Sequence, residues 1–383
     1  MKNKVIPRGL RDLLPEQVKV RREIEKKITQ LFKGYGFEEV ITPTFEFLEV
    51  IETGTGNIRE ELFMFMDREG GILSLRPEGT VAIARLAATH LQDAVYPQRL
   101  FYVSNVFRHV QPQRAQYREF MQMGIELLGA SGVRADAEVI SIAVEALRTI
   151  GVQNFKISLN QIGIFNSLIA DSSIEGEQRD IIRTLVEGKD LVELTKTLEG
   201  IAIDDQLKET IGKLPVLHGG LEVLEQIPYV EKNRQASQAV HELMEVYAAL
   251  KAGGVIEDVV LDMGVLRGLD YYTGIVFEGY AADLGYGLLG GGRYDNLMGQ
   301  FGYPCPATGF AMGLDRLALV LDKKEETNPH FLVGGKNYKQ VASKCEELRS
   351  QGYVVEMDVE DLSKAELEEK IKLKPSYELI YID

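Results

Sequence analysis

The sequence predicts an α+β fold: an antiparallel sheet with helices along one side, a helical insertion, and a small α/β unit towards the C-terminal end. Three observations lead there. Strand-like apolar runs follow one another through hairpins and short loops, from "FEEVITPTFEFLEVI" to "REFMQMGIELLG" and again over residues 256–321. Between about 163 and 250 the chain instead turns helical and charged, with no strong strand. Residues 330–383 then alternate strand and helix.

Each element has its own signal. In residues 17–36, "QVKVRREIEKKITQLFKGYG", Val20, Ile24, Ile28, Leu31 and Phe32 recur at helical spacing and glycines stop the run. "FEEVITPTFEFLEVI" reads as extended and broken at Pro43, which offers a ladder no N–H. "ELFMFMD", "ILSLRPEG", "QRLFYVSNVFRHV" and "REFMQMGIELLG" carry strand-like runs, with the helical "TVAIARLAATHLQ" among them. "RADAEVISIAVEALRTIG" is an amphipathic helix and "NFKISLNQ" a strand after it. The insertion holds "EQRDIIRTLVEGKDLVELTKTLEG" and "NRQASQAVHELMEVYAALKAGG". The core closes with "PATGFAMGLDRLALVLD", and "KKEETNP" at 323–329 reads as a linker. "HFLVGG", "YKQVASKCEELRSQG", "YVVEMDV", "KAELEEKIKL" and "YELIYID" then give strand–helix–strand–helix–strand. The expected domains are a core over 1–322, with its insertion at about 163–250, and a small C-terminal domain over 330–383.

Composition narrows the function. A chain of 383 residues has room for one large and one smaller domain. Its two cysteines, Cys305 and Cys345, stand far apart, so neither a disulfide framework nor a CxxC metal site is indicated. No metal or cofactor is expected. No apolar run is long enough to span a bilayer, and "MKNKVIPRGLRDLLPEQ" lacks the apolar stretch of a secretory signal, so the expected address is cytoplasmic. With 58 acidic against 43 basic residues the formal charge is −15, which weighs against a nucleic-acid backbone as ligand.

Four motifs carry chemistry. "GYGLLGGG" at 285–292 contains GxGxxG, but "RYDNLMGQFGYP" after it is too short and glycine-rich for the helix of a dinucleotide site. A glycine hairpin within a sheet is the expectation. "SLRPEGTVAIARLA" at 74–87 sets Glu78 and Thr80 where a helix starts, as cap or first-turn acid. "LDMGVLRGLDYYTGIVFEGY" at 261–280 interrupts an apolar pattern with a cation, an acid and paired phenols, none of which a turn needs. "GFAMGLDRLALVL" at 309–321 reads as a buried helix whose Arg316 reaches outward.

As an ordered set these motifs resemble the catalytic module of histidyl-tRNA synthetase, a class II aminoacyl-tRNA synthetase. The resemblance covers nearly all of 5–322. It rests on "EEVITP" with Pro43, "LRPEGT" at 75–80, "FRHVQPQRAQYREFMQMGIELLG" at 107–129, "RGLDYYTGIVFE" at 267–278, "GGRYDNL" at 291–297 and "GFAMGLDRLAL" at 309–319. It implies a class II synthetase-like antiparallel sheet flanked by helices, and a histidine site. By position, Glu78 and Thr80 face the α-amino group, while Arg108, Gln122 and Arg267 lie along the carboxylate. Glu126 and Tyr272 read the imidazole, and Tyr271 and Tyr294 close the wall. The residue types suit a zwitterion with an imidazole, which needs carboxylates, cations and hydrogen-bonding partners.

The nucleotide side departs from the synthetase pattern. Val110 stands where a glutamate helps to hold the adenine amino group, and Gln111, Ala115 and Gln116 occupy a loop that normally offers arginine and glycine. Met121 replaces a histidine, and Asp315 stands where glutamate is usual. Arg114, Arg118 and Arg316 remain as candidate phosphate or nucleotide contacts. Adenylation needs charge preorganised around the phosphates, so efficient ATP activation is not expected. The C-terminal unit looks abbreviated, and "DVEDLSKAELEEK" is acidic where RNA would lie.

These departures resemble the regulatory subunits of ATP phosphoribosyltransferase, a family of synthetase paralogues without aminoacylation activity. That resemblance implies a homodimer core, assembly with a short catalytic subunit into a hetero-octamer, and L-histidine as feedback inhibitor, with no tRNA and no membrane. An active synthetase with a degenerate motif 2 and a stand-alone histidine sensor or ligase stay open as alternatives.

Overall fold

The computed structural model describes residues 4–55, 58–111, 116–172, 174–267, 271–281, 286–320 and 329–383. The chain divides into two compact units, Met1–Leu321 and Asp322–Asp383. Of the expected linker only Pro329 falls among the described residues.

The large unit opens with helix α1 (Pro15–Gly34), which buries Ile24, Ile28 and Phe32, the face that the spacing predicted. Pro15 sits in its first turn, where a missing N–H costs nothing. The short strands β1 (Glu38–Glu39) and β2 (Phe45–Phe47) flank Pro43. Here the extended reading of "FLEVI" is corrected: Leu48 begins helix α2 (Leu48–Thr55). Its buried Leu48, Ile51 and Thr55 share one helical face, and so short an apolar run does not by itself separate strand from helix. Strands β3 (Met64–Met66) and β4 (Ile72–Leu75) join β2 in a small antiparallel sheet ordered β2-β4-β3.

Helix α3 (Thr80–His90), strands β5 (Gln98–Phe107) and β6 (Glu119–Leu128), helix α4 (Val133–Ile150), strand β7 (Phe155–Gln161) and helix α5 (Ile162–Ala170) follow. Arg76, just before α3, is buried as a clamp. Its guanidinium donates to the carbonyls of Asn105 at 2.8 Å and Thr42 at 2.9 Å, tying the Pro43 segment to β5. The insertion supplies α6 (Glu177–Glu187), α7 (Leu191–Glu199), α8 (Asp205–Lys213) and α9 (Arg234–Ala252). Asp190, Asp204 and Asn233 cap the last three with side-chain oxygens. It also contributes a two-residue strand, β8 (His218–Gly219), at the sheet edge. The core returns through β9 (Val259–Asp262), β10 (Ile275–Ala281), β11 (Gly287–Arg293), β12 (Ala307–Gly313) and helix α10 (Leu314–Val320).

The main sheet runs β1-β5-β6-β12-β11-β10-β7-β9-β8. Its six central strands are antiparallel as expected, while the pairs β1–β5 and β7–β9 are parallel. The glycines of "GYGLLGGG" that are described lie in the interior strand β11, and a short 3-10 turn, not a long helix, follows at Met298–Phe301.

Strand alternation gives the sheet two apolar faces. Phe101, Met123, Ile125, Leu127 and Phe277 pack with α1, α4 and the insertion. Leu100, Tyr102, Leu128 and Val276 face the other way, into a cluster with Val81, Ile83, Ala84 and Ala87 of α3. The expectation of helices along one side is therefore corrected. The second face is also covered, because β5, β6 and β10 carry apolar residues at consecutive positions. Among the described residues no helix is long and apolar enough to cross a membrane.

The small unit is a three-stranded parallel sheet ordered β14-β13-β15. It comprises β13 (His330–Gly335), α11 (Tyr338–Ser350), β14 (Val354–Met357), α12 (Lys364–Lys372) and β15 (Tyr377–Ile382), the alternation read from the sequence.

Candidate functional site

The site grows from β6. With a period of two, Gln122, Gly124 and Glu126 point to the face away from the core formed by Met123, Ile125 and Leu127. The start of α3 lies over them. The Glu78 carboxylate accepts the N–H groups of Thr80 and Val81, both at 2.7 Å, so the acid that closes the helix start, one residue before the Gly79 cap, and the pocket acid are the same residue. Burial pushes the Glu78 carboxyl up, and these donors and Arg108 oppose the rise.

Glu126 is 1 % exposed. One of its oxygens accepts the Thr80 hydroxyl at 2.7 Å and the other accepts the Tyr294 hydroxyl. Burial pushes its carboxyl from an ordinary 4.5 up to about 8; the two hydroxyls pull it down, and neighbouring Glu78 raises it further. Gln122 accepts the Gly79 N–H at 3.2 Å and the Tyr102 hydroxyl at 3.0 Å. Tyr271 packs against Tyr272 with ring centroids 4.7 Å apart and against Tyr294 at 5.6 Å. The Arg267 guanidinium stands 5.9 Å over the Tyr272 ring and 4.0 Å from the Glu278 carboxylate. Arg108 is tied by its Nε to the Pro77 carbonyl at 2.9 Å.

The structure brings Glu78, Thr80, Arg108, Gln122, Glu126, Arg267, Tyr271, Tyr272 and Tyr294 together around one cavity of about 40 Å³. These are all the residues expected to hold histidine. Thr80, expected at an amino group, spends its hydroxyl proton on Glu126.

A second cavity of about 180 Å³ adjoins the first and shares Arg108, Gln122, Arg267, Gly290 and Ala311 with it. Val110, Phe120, Leu288, Leu289 and Met312 make much of its wall apolar. Of the candidate phosphate residues, Arg316 lines it and donates to the Gly287 carbonyl at 2.6 Å. Burial lowers the Arg316 guanidinium; Glu278 opposes this, and the nearby Arg108 and Arg267 lower it further. Arg118 is not among the lining residues, and its Nε donates to the Val110 carbonyl at 3.1 Å. Arg114 lies outside the described residues.

Several residues escaped the sequence reading. Asp315, seen only as a shortened glutamate, is a buried hub that accepts the Met121 N–H at 3.0 Å and pairs with Arg11 and Arg21. Arg11 also lies 3.6 Å from the centre of the Tyr117 ring, which lines the outer cavity. Glu278 and Tyr102 were hidden because strand alternation makes either read as ordinary sheet. The only signal for Tyr102 was its place on the same face of β5 as Leu100.

Fold and pocket together define a class II synthetase-like protein. The family model of histidyl-tRNA synthetase matches residues 9–317. An ATP phosphoribosyltransferase regulatory subunit from Moorella thermoacetica is 41% identical over 367 residues, 94% of each chain. Another from Desulforamulus reducens is 37% identical over 382 residues, 98% of this chain and 95% of that one. A solved Bacillus halodurans structure, described as an ATP phosphoribosyltransferase regulatory subunit/histidyl-tRNA synthetase, superposes with a TM-score of 0.88. It is 31% identical and covers 99% of this chain and 98% of its own. The chain belongs to the ATP phosphoribosyltransferase regulatory subunit family, which is built on the histidyl-tRNA synthetase fold. It is accordingly a regulatory chain and not an aminoacylating enzyme, and neither alternative reading is favoured.

Proposed function

We propose that this chain is the non-catalytic partner of a short ATP phosphoribosyltransferase subunit in the cytoplasm, required for the first step of histidine biosynthesis. L-Histidine in the cavity of Glu78, Glu126 and Arg267 is its feedback inhibitor. The observation that carries this reading is the convergence of every expected histidine contact on one cavity. Two carboxylates, two guanidiniums and an amide suit a zwitterion whose side chain bears both a donor and an acceptor. We place the imidazole in the inner cavity, beside Glu126 and Tyr294, with the ammonium and carboxylate towards the shared wall of Arg108, Gln122 and Arg267. Buried polar groups of this kind reject analogues that leave them unpaired.

The outer cavity supports the regulatory half. Val110, which accepts no hydrogen bond from its side chain, lines it, and Asp315 is already occupied by Arg11, Arg21 and the Met121 amide. Tight, reactive seating of ATP is not expected there; Arg316 leaves room for weak phosphate contact. Histidine acts through the segments around 107–122 and 267–276, favouring one arrangement of the subunits over another. A coupling of about 1–3 kcal/mol changes affinity elsewhere by roughly 5–150-fold.

The small sheet supports the homodimer core. Phe45, Phe47 and Phe65 are 49 %, 55 % and 42 % exposed, and Phe45 meets Phe65 edge-on at 5.6 Å. An exposed aromatic cluster of this kind is covered in assembled proteins, and we assign the cover to a second copy of the chain. Catalytic subunits joining this dimer build the hetero-octamer. The acidic surface argues against tRNA as a ligand.

The test is to mix the chain with a short catalytic subunit and assay transferase activity with and without histidine. Activity should need both chains and fall when histidine is added. Glu126→Ala should remove the histidine response while the complex still assembles. Histidine-dependent ATP–pyrophosphate exchange by the chain alone would sink the proposal.

A further inference from the structure

We infer that Tyr102 is a positioning residue: with the Gly79 N–H it holds the oxygen of the Gln122 amide away from the ligand, and so gives the pocket its preference for a carboxylate. The inference rests on the amino-acid pocket proposed above and adds the origin of its selectivity.

The two ends of a glutamine amide have nearly the same shape and opposite chemistry. If the NH2 end faces the ligand, the site takes a carboxylate; if the oxygen does, it takes a donor. The Gly79 N–H, 3.2 Å from Gln122 Oε1, can only donate, so the end of the amide beside it is the oxygen. Tyr102 is the ambivalent neighbour, since a phenol donates or accepts. With its oxygen 3.0 Å from the same Oε1, it must donate. Burial, with Glu126 and Glu78 nearby, holds the Tyr102 hydroxyl well above its ordinary 10, so the proton it donates stays in place at any working pH. Two donors then converge on one oxygen, and Nε2 is the end of Gln122 left for the ligand.

The slot that holds Tyr102 is built for it. Gly124 lies directly across from Tyr102 in the β5–β6 pairing, and a Cβ there would stand 2.7 Å from its ring and 2.6 Å from the Phe310 carbonyl. A Cβ on Gly79 would overlap the same ring. The two glycines let the ring lie close between α3 and β6, where its hydroxyl meets Gln122.

Tyr102→Phe keeps the ring and removes only the donor. By calorimetry on the full chain, L-histidine should bind the variant about tenfold more weakly, the effect of one lost hydrogen bond plus a freed amide. L-Histidinol, which lacks the carboxylate, should bind wild type and variant alike. Gln122→Glu is the second variant: it keeps both donors on its oxygen and presents a carboxylate to the ligand. It should lose histidine by more than about a hundredfold while changing histidinol little. If wild-type chain binds no histidine, the pocket proposal falls and this inference with it. If wild type binds histidine but either variant weakens histidine and histidinol in parallel, or neither, the pocket stands and Tyr102 does not set its selectivity.

Discussion

Glu126 gives the sharpest test of the pocket's electrostatics, because its carboxyl is buried beneath two hydroxyl donors and beside a second acid. A carboxyl lifted from 4.5 to about 8 in the folded chain holds its proton more tightly there than in the unfolded chain. Its contribution to stability is therefore complete below pH 4.5 and is lost as the pH rises through about 8. At about 1.4 kcal/mol per pH unit, that is on the order of 5 kcal/mol over the window, of which about 3 kcal/mol is gone by pH 7. Glu126→Gln cannot ionise and has the same shape. Its oxygen accepts one hydroxyl, and its amide donates to the other once that hydroxyl turns. The variant should thus be more stable than wild type at pH 7, by about 1–3 kcal/mol after the cost of rearranged hydrogen bonds. The difference should vanish towards pH 5 and grow towards pH 8.5. Urea denaturation of both proteins from pH 5 to 9 measures it, and the difference between them cancels the titrating groups that Glu126 does not touch. Parallel stability curves across that range would refute the reasoning, since Glu126 would then titrate in the folded chain as it does in the unfolded one.

Two further predictions concern the frame of the site. Arg293 is buried with its Nε donating to Asp136 at 3.0 Å and its NH1 paired to Asp295 at 2.9 Å. Arg293→Met should cost about 3–5 kcal/mol in urea denaturation by stranding Asp136, and adding Asp136→Leu should recover most of that loss; a double variant no better than the single one would show that packing is what Arg293 supplies. Phe65→Asp, placed in the exposed aromatic cluster of the small sheet, should convert the proposed dimer to a monomer in sedimentation velocity at micromolar concentration, and an unchanged dimer would move the interface elsewhere.

Much of this architecture was legible in the sequence because it follows from periodicity. The face of α1, the alternating strands β5 and β6 and the five elements of the small unit each repeat a pattern over several residues, so one ambiguous position does not spoil them. "FLEVI" failed for the opposite reason: five apolar-rich residues after a proline satisfy both periods. The second helical face escaped because a strand buried on both sides looks like one with a stronger apolar run. At the site, residues that announce themselves by being out of place were found. Arg267 beside paired tyrosines is of this kind, whereas Gln122 and Glu126 entered only through the resemblance to the synthetase motifs. Residues whose meaning lies in a distant partner were not. Asp315 reads only as a shortened glutamate until Arg11 and Arg21, some three hundred positions earlier, close on it.

The same contrast explains how a synthetase fold can keep one ligand and loosen its hold on another. Of the proposed histidine contacts, Glu78, Thr80, Gln122, Glu126 and Tyr294 are held by the sheet register and by hydrogen bonds among themselves and to the start of α3. Changing any of them would leave a buried polar group without a partner, at about 1–3 kcal/mol each. The outer cavity is tied at one side, where Arg11, Arg21 and the Met121 N–H hold Asp315. Val110, Gln116 and Tyr117 lie on the connection between β5 and β6, and Glu278 and Arg316 border the cavity from other elements. A substitution at Val110 strands no such network. Catalysis needs that outer wall, because charge must be in place before the phosphates arrive. Regulation needs only that histidine prefer one arrangement of the subunits. On the proposed role, selection for feedback control alone preserves the inner pocket and releases the outer one, which is the asymmetry between a saturated Glu126 and an apolar Val110.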